Sequence, residues 1–212
     1  EALARFKGNA RPVHLLFTAD EEVGSPACRT VIREHVQGAR AVLNAEPGRI
    51  SGNVVNERKG SYRIDFEVQG VAAHAGINPA QGASAIDALA RKILALHALN
   101  GCEPGITVNV GFIQGGMASN VVAPLASAHV DLRYTAGNDL EGVLARIQAV
   151  IEEESLPRTS GRIVAKTGTL PMARTPEDLL QTYQRCAEQV GFKVEGEATG
   201  GAADSGITSN MG

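Results

Sequence analysis

Two kinds of apolar pattern run along this chain, and the change from one to the other divides it. The first is a set of short, unbroken β-capable runs, Val13-His14-Leu15-Leu16-Phe17-Thr18 and Ala41-Val42-Leu43-Asn44, each stopping at polar residues. Between them, 27–36 has helical spacing, with Ser25-Pro26 as a start signal and Gly38 just past the end. Strand, helix, strand with short connections predicts parallel strands of an open α/β sheet.

From 59 to 167 the period changes. Tyr62, Ile64, Phe66 and Val68 alternate with Arg63, Asp65 and Glu67, the signature of a half-buried antiparallel strand. A helix carrying Ile86, Leu89, Ala90, Ile93 and Leu94 on its apolar face follows, then strands near 106–113 and 126–134. A second helix presents Leu140, Val143, Leu144, Ile147, Val150 and Ile151, and a last strand spans 162–166. The order is β-α-β-β-α-β, a ferredoxin-like unit. The expected architecture is therefore an α/β domain formed by 1–58 and 168–212, incomplete and discontinuous, with the unit 59–167 inserted into it. Past the insert, Thr175-Pro176-Glu177-Asp178 starts a helix over 179–190 that Gly191 stops. Residues 1–6 read as the tail of a helix and 206–212 as the beginning of another, so the sequence is expected to be a fragment.

Composition narrows the functional classes. The 212 residues are 43% hydrophobic and 20% charged, which is globular material. A net charge of -3 with scattered Lys and Arg offers no stripe for nucleic acid, and the acidic run Glu152-Glu153-Glu154 reads as a solvated helix end. No apolar run approaches the roughly 18 residues of a membrane span, and residues 1–11 lack the apolar core of a signal peptide. Cys28, Cys102 and Cys186 are far apart and odd in number, which suits buried thiols in a reducing, cytoplasmic setting.

Candidate chemistry begins at Asp20-Glu21-Glu22, three carboxylates directly after an apolar run. Adjacent acids repel unless a cation or a shared proton sits among them, and a metal ion is one such cation. A solvated acidic turn is the plain alternative. Glu46 follows the next predicted strand, and parallel strands would bring it to the same sheet edge, where ligands of open α/β sheets collect. Two unrelated loop acids is the alternative there. In the insert, His74 lies among small residues in Gly70-Val71-Ala72-Ala73-His74-Ala75-Gly76, Asn120 follows Gly115-Gly116-Met117-Ala118-Ser119, and Arg133 shares a strand face with His129 and Asp131. Each also reads plainly, as a loop histidine, a turn former and half of a surface ion pair. The Gly-rich stretch 199–204 suits either an anion cradle of backbone N–H groups or a flexible turn. Dinucleotide, Walker-type, His-Glu-x-x-His and Gly-x-Ser-x-Gly motifs are absent from the sequence, so nucleotide binding and serine hydrolysis lose their usual support.

Six segments in order then resemble a known family: 18–25 (Thr-Ala-Asp-Glu-Glu-Val-Gly-Ser), 44–47 (Asn-Ala-Glu-Pro), 70–75, 116–122, 130–134 (Val-Asp-Leu-Arg-Tyr) and 200–204. Together they are similar to the di-zinc hydrolases that include glutamate carboxypeptidase, acetylornithine deacetylase and succinyl-diaminopimelate desuccinylase. The resemblance spans essentially the whole chain. It implies a metal-dependent hydrolase that cleaves an amide or peptide bond next to a free carboxylate, with a zinc-exopeptidase-like α/β domain and a ferredoxin-like lid that also forms a homodimer. Glu21 matches the general base, Glu22 a ligand of one zinc and Glu46 a ligand of the other. His74 matches the lid histidine that reaches the partner subunit's site, and Asn120 and Arg133 match lid residues that grip substrate. Gly200 and Gly201 match a loop near the substrate carboxylate. Small peptides or N-acyl amino acids are the implied substrates. The family's remaining ligands belong to segments before 13 and after 204, so these residues supply two ligands, and a non-catalytic dimerisation module is the alternative reading. Residues 167–171 contain no arginine where glutamate carboxypeptidases carry one for the substrate side chain.

Overall fold

A computed structural model describes residues 12–211, and the helix tail expected at 1–6 lies outside them. The element order is α1 (Cys28–Val36), β1 (Val54–Arg58), β2 (Gly60–Gln69), α2 (Ala85–His97), β3 (Thr107–Gly115), β4 (Leu125–Tyr134), α3 (Leu140–Glu152), β5 (Ser160–Thr169), α4 (Glu177–Gln189), β6 (Gly196–Thr199) and α5 (Ser205–Ser209). Strands β2 to β5 form one antiparallel sheet in the order β3-β4-β2-β5. Each helix thus links two parallel strands that have a third strand between them, which is the ferredoxin-like arrangement. The fold is α/β, with this unit inserted in the chain as the alternation predicts.

The strict alternation in β2 and β4 decides which face is buried. Ile64, Phe66 and Val68 are fully buried, as are Ala128 and Leu132, while Arg63, Asp65, His129, Asp131 and Arg133 occupy the opposite face. Helices α2 and α3 cover the apolar face, contributing Ala85, Ala88, Leu89, Leu96, Val143, Ile147 and Ile151 to the core. Both helices start on side-chain caps: Ser84 Oγ accepts from the Asp87 amide at 3.2 Å, and Asp139 Oδ1 from the Gly142 amide at 3.0 Å. Lys92 takes a core position of α2 and donates to the Val150 and Glu153 carbonyls at 3.2 and 2.5 Å, capping the end of α3.

The structure corrects four of the expectations. The runs 13–18 and 41–44 are not strands, because a strand requires a laddered neighbour and neither has one among the described residues. Leu15, Phe17 and Leu43 are 70%, 89% and 75% exposed. The core face of α2 is Ala85-Ala88-Leu89-Lys92-Leu96, rotated from the predicted face: Ile86 and Leu94 are 47% and 74% exposed. The last strand extends over Ser160–Thr169. Finally, Cys102 and Cys186 are exposed and Cys28 is half-buried, so none is the buried thiol expected.

Outside the insert, β1 and β6 pair in parallel, Val54 opposite Gly196 and Arg58 opposite Thr199. The chain enters the insert from β1 and returns beside it, since Arg58 and Met172 exchange backbone hydrogen bonds of 3.0 and 3.1 Å. Gly60 makes the entry possible: a Cβ there would stand 2.6 Å from the Tyr134 ring and 2.8 Å from the Thr169 carbonyl.

Candidate functional site

The acidic triplet folds as a single 3-10 turn, Glu21–Val23, closed by Gly24 at φ 87°. Asp20, to which the sequence assigns no task, turns out to be structural. Its Oδ2 accepts from the Ala27 and Cys28 amides at 2.8 and 3.2 Å, capping α1 from outside the helix. The Cys28 thiol and these amides hold the Asp20 carboxyl below its ordinary range. With Asp20 fixed, Glu21 and Glu22 are presented by the turn that follows.

Glu21 is half-buried and Glu22 exposed. Burial first, and then the charges of Glu46, Asp204 and Glu22, push the Glu21 carboxyl above its ordinary range, while Arg58 partly offsets them. Asp204 is brought to the acidic turn from far away in sequence, and the charge of Glu46 is felt at Glu21 as well. Asp204 is the fastener. Its carboxylate accepts from Thr18 Oγ1 at 3.1 Å and from the Ser25 hydroxyl, so the acidic turn is tied at both ends to the Gly-rich segment. Ser25 is buried and holds φ 53°, a conformation that this tie offsets. The two predicted parallel strands are thus not what assembles Glu21, Glu22 and Glu46. What fixes the Glu21-Glu22 turn is a loop pinned by Asp204.

The insert reaches the same place through Arg133. Its Nε donates to Asp131 Oδ2 at 2.8 Å, as the ion-pair reading expects, and Nη1 lies 3.4 Å from the Gly200 carbonyl. A second guanidinium, Arg58 at the end of β1, donates to the Gly201 carbonyl at 3.3 Å. Nothing in the local sequence around Arg58 marks it as a site residue. The signal lay in topology, because the end of β1 meets the Gly-rich segment only when β1 pairs with β6. A cleft of about 250 Å³ opens beside Gly200, lined also by Glu57, Lys59, Thr135 and Thr199.

His74 and Asn120 form a second group within the insert. His74 pairs with Val121 in an isolated antiparallel bridge, and the Ala75 amide donates to the Asn120 carbonyl at 2.9 Å. Both side chains are exposed. His74 Nδ1 accepts from the Gly76 amide at 3.1 Å, so the neutral ring carries its proton on Nε2 and presents a donor. Among the described residues, no hydrogen bond or ion pair joins this pair to the Glu21 turn.

Residues 56–159 match the sequence model of the M20 peptidase dimerisation domain. This segment is an M20 peptidase dimerisation domain. Carboxypeptidase G2 of a Pseudomonas strain is 22% identical over 207 residues, which covers 94% of this chain and 49% of the relative. Acetylornithine deacetylase of Myxococcus xanthus is 33% identical over 153 residues, 67% of this chain and 40% of the relative. Among solved structures, aminopeptidase PepT from Bacillus cereus superposes with a TM-score of 0.78 at 21% identity, over 92% of this chain and 52% of that one, which speaks for the fold. The chain spans 49% and 40% of the length of these two curated relatives.

The match runs from β1 to the last residue before β5, so the dimerisation domain carries His74, Asn120 and Arg133, while Glu21, Glu22, Glu46, Gly200 and Gly201 lie outside it. Zinc sites take three or four protein ligands. Among the described residues no group of three or more His, Cys, Asp or Glu side chains is arranged to hold a metal ion. Glu22 and Glu46 suit such an ion as oxygen donors but do not complete its site. No helix among the described residues is long and apolar enough to cross a membrane.

Proposed function

We propose that the chain is part of a metal-dependent hydrolase that cleaves an amide or peptide bond next to a free carboxylate, a carboxypeptidase or an N-acyl amino acid deacylase. The observation that carries this reading is the tie of the Glu21-Glu22 turn to Asp204 of the Gly-rich segment, with the charges of Glu46 and Arg58 also felt at Glu21. Carboxylates are not gathered in this way without something to gain from their charge. Glu21 is the general base: it is half-buried, held above its ordinary pKa and within reach of its acidic neighbours. Glu22 and Glu46 are two ligands of a zinc centre whose other ligands come from outside the described residues. When bound, zinc supplies an acidified water and polarises the scissile carbonyl.

The substrate carboxylate is held by Arg133, with Gly200 and Gly201 beside it, and Arg58 adds a second guanidinium there. Asn120 grips the substrate from the lid, and His74 donates through Nε2 to the substrate bound by the partner subunit. The catalytic α/β part comprises 1–58 and 168–212, and 59–167 is the lid. The lid also forms a homodimer, through the edge of β3, which is free among the described residues, and the exposed apolar residues Ile86 and Leu94 of α2.

The test is zinc content of the native-length protein together with its hydrolysis of N-acyl amino acids and dipeptides, with and without chelator. Glu21→Ala is expected to lose about 10²–10⁴-fold in turnover while keeping its metal. A zinc-free protein with no chelator-sensitive hydrolysis would sink the enzyme reading. It would favour a non-catalytic dimerisation module, a reading to which the incomplete ligand set lends support.

A further inference from the structure

Arg158 has no part in the site as described, yet it is built into the structure with unusual care. It sits between α3 and β5 in the left-handed region at φ 64°, which a side-chain-bearing residue seldom adopts. Its amide donates to Glu154 Oε1 at 2.8 Å, fixing that backbone turn. Its guanidinium then reaches back across the domain to three successive carbonyls, Ala80 at 3.1 Å, Gln81 at 2.9 Å and Gly82 at 2.7 Å. These are the carbonyls at the end of the 3-10 turn Pro79–Gln81, the end that gathers unpartnered acceptors and negative potential. A planar fork of N–H groups meets that need where an ammonium meets it less fully.

The clamped turn is the support of His74. Asn78 connects the two: its Nδ2 donates to Gln81 Oε1 at 2.7 Å, and its Oδ1 accepts from the His74 amide at 3.1 Å. The Gln81 amide returns to the Asn78 carbonyl, and the Asn78 amide to the His74 carbonyl, at 3.0 and 3.1 Å. The turn also braces the segment of Asn120. A Cβ on Gly82 would lie 2.8 Å from the Val122 side chain, so the two backbones are in close contact. The Val122 amide donates to the Ala73 carbonyl at 2.9 Å. Arg158 therefore holds one turn against which both the His74 and the Asn120 segments rest.

We propose that Arg158 is a positioning residue for His74 and Asn120, fixing the His74 backbone so that Gly76 can hold Nδ1 and leave the proton on Nε2. This rests on the functional reading of the lid for its consequence, but the geometry itself is testable without turnover. The experiment is ¹⁵N NMR of the histidine rings of this chain at a pH where they are neutral. The wild type shows a single His74 tautomer with Nε2 protonated. Arg158→Ala is expected to lose that signature, His74 exchanging between both tautomers, while the His97 and His129 rings keep their signals and report an intact domain. Arg158→Lys restores the signature in part, since it keeps the charge and loses the fork. If Arg158→Ala does not fold, Asn78→Ala cuts the same link further along and is expected to release His74 in the same way. An unchanged His74 spectrum in a folded Arg158→Ala or Asn78→Ala variant overturns the proposal. Unchanged hydrolysis in His74→Ala overturns instead the role given to His74, and leaves the positioning by Arg158 standing.

Discussion

Single residues in this protein are often explained by a partner far along the chain. Asp65 is an example: it is flanked by Arg63, whose Nε donates at 2.8 Å, and by His129, whose Nδ1 lies 2.7 Å away as a charge contact lacking the alignment of a hydrogen bond. Phe112 stacks on the His129 ring at 4.7 Å and keeps it there. Burial pushes the Asp65 carboxyl up, but the Arg63 hydrogen bond and the charges of His129 and Arg63 outweigh it and leave the carboxyl below its ordinary range. A carboxyl depressed by folding adds stability above its unfolded pKa of about 3.9 and loses it as pH falls through the folded value. Thermal melts taken from neutral pH down into the acid range should therefore fall less steeply for Asp65→Asn than for the wild type. Parallel curves would refute the assignment. Asp20 makes the same point for a backbone partner. Asp20→Ala is expected to uncap α1, so hydrogen exchange at the first amides of Cys28–Val36 should speed up, with the insert unaffected.

At the scale of elements, the seam between α2, α3 and β5 is the most exacting. Lys92 runs through the core to the end of α3, and Gly161 lets β5 pass so close that a Cβ would stand 1.9 Å from the Ile151 carbonyl and 3.2 Å from Lys92 Cε. Lys92→Met keeps the apolar stem but leaves the Val150 and Glu153 carbonyls without their donor. It is expected to cost about 1–3 kcal/mol in denaturant unfolding. Gly161→Ala forces β5 away from α3 and is expected to cost about 1–3 kcal/mol or more. A neutral result for both would mean that this seam is looser than its geometry. The helix faces hold a similar lesson. Periodicity in α3 picked out the buried Val143, Ile147 and Ile151, because only one stripe of that helix is apolar. In α2 two stripes are apolar, and the pattern alone chose a face containing Ile86 and Leu94 that the fold leaves outside.

For the whole molecule, the dimerisation domain carries an exposed apolar stripe on α2 and an edge strand, β3, that is unpaired on one side among the described residues. Leu94→Arg places a charge on that stripe without touching the core, and sedimentation is expected to show a shift from dimer to monomer with the melting behaviour of the insert preserved. A wild-type chain that is monomeric at all accessible concentrations would dispose of the proposed interface.

The sequence by itself determined the insert. Alternation in Tyr62, Ile64, Phe66 and Val68 and the helical stripe of α3 are local signals, and local physics obeys them because a side chain one or two turns away decides each one. Glu21, Glu22, Glu46, His74, Asn120, Arg133, Gly200 and Gly201 were likewise legible as candidates, by residue type and neighbouring motif. Only the tertiary structure decided which of them meet. The runs 13–18 and 41–44 looked like strands, but strand formation depends on a neighbour that periodicity cannot supply. The arrival of Asp204 at Ser25, of Arg58 at Gly201 and of Arg158 at the turn below His74 joins positions separated by 179, 143 and 76–78 residues. Such contacts leave no periodic trace, because their energy is a property of the closed chain and not of any stretch of it.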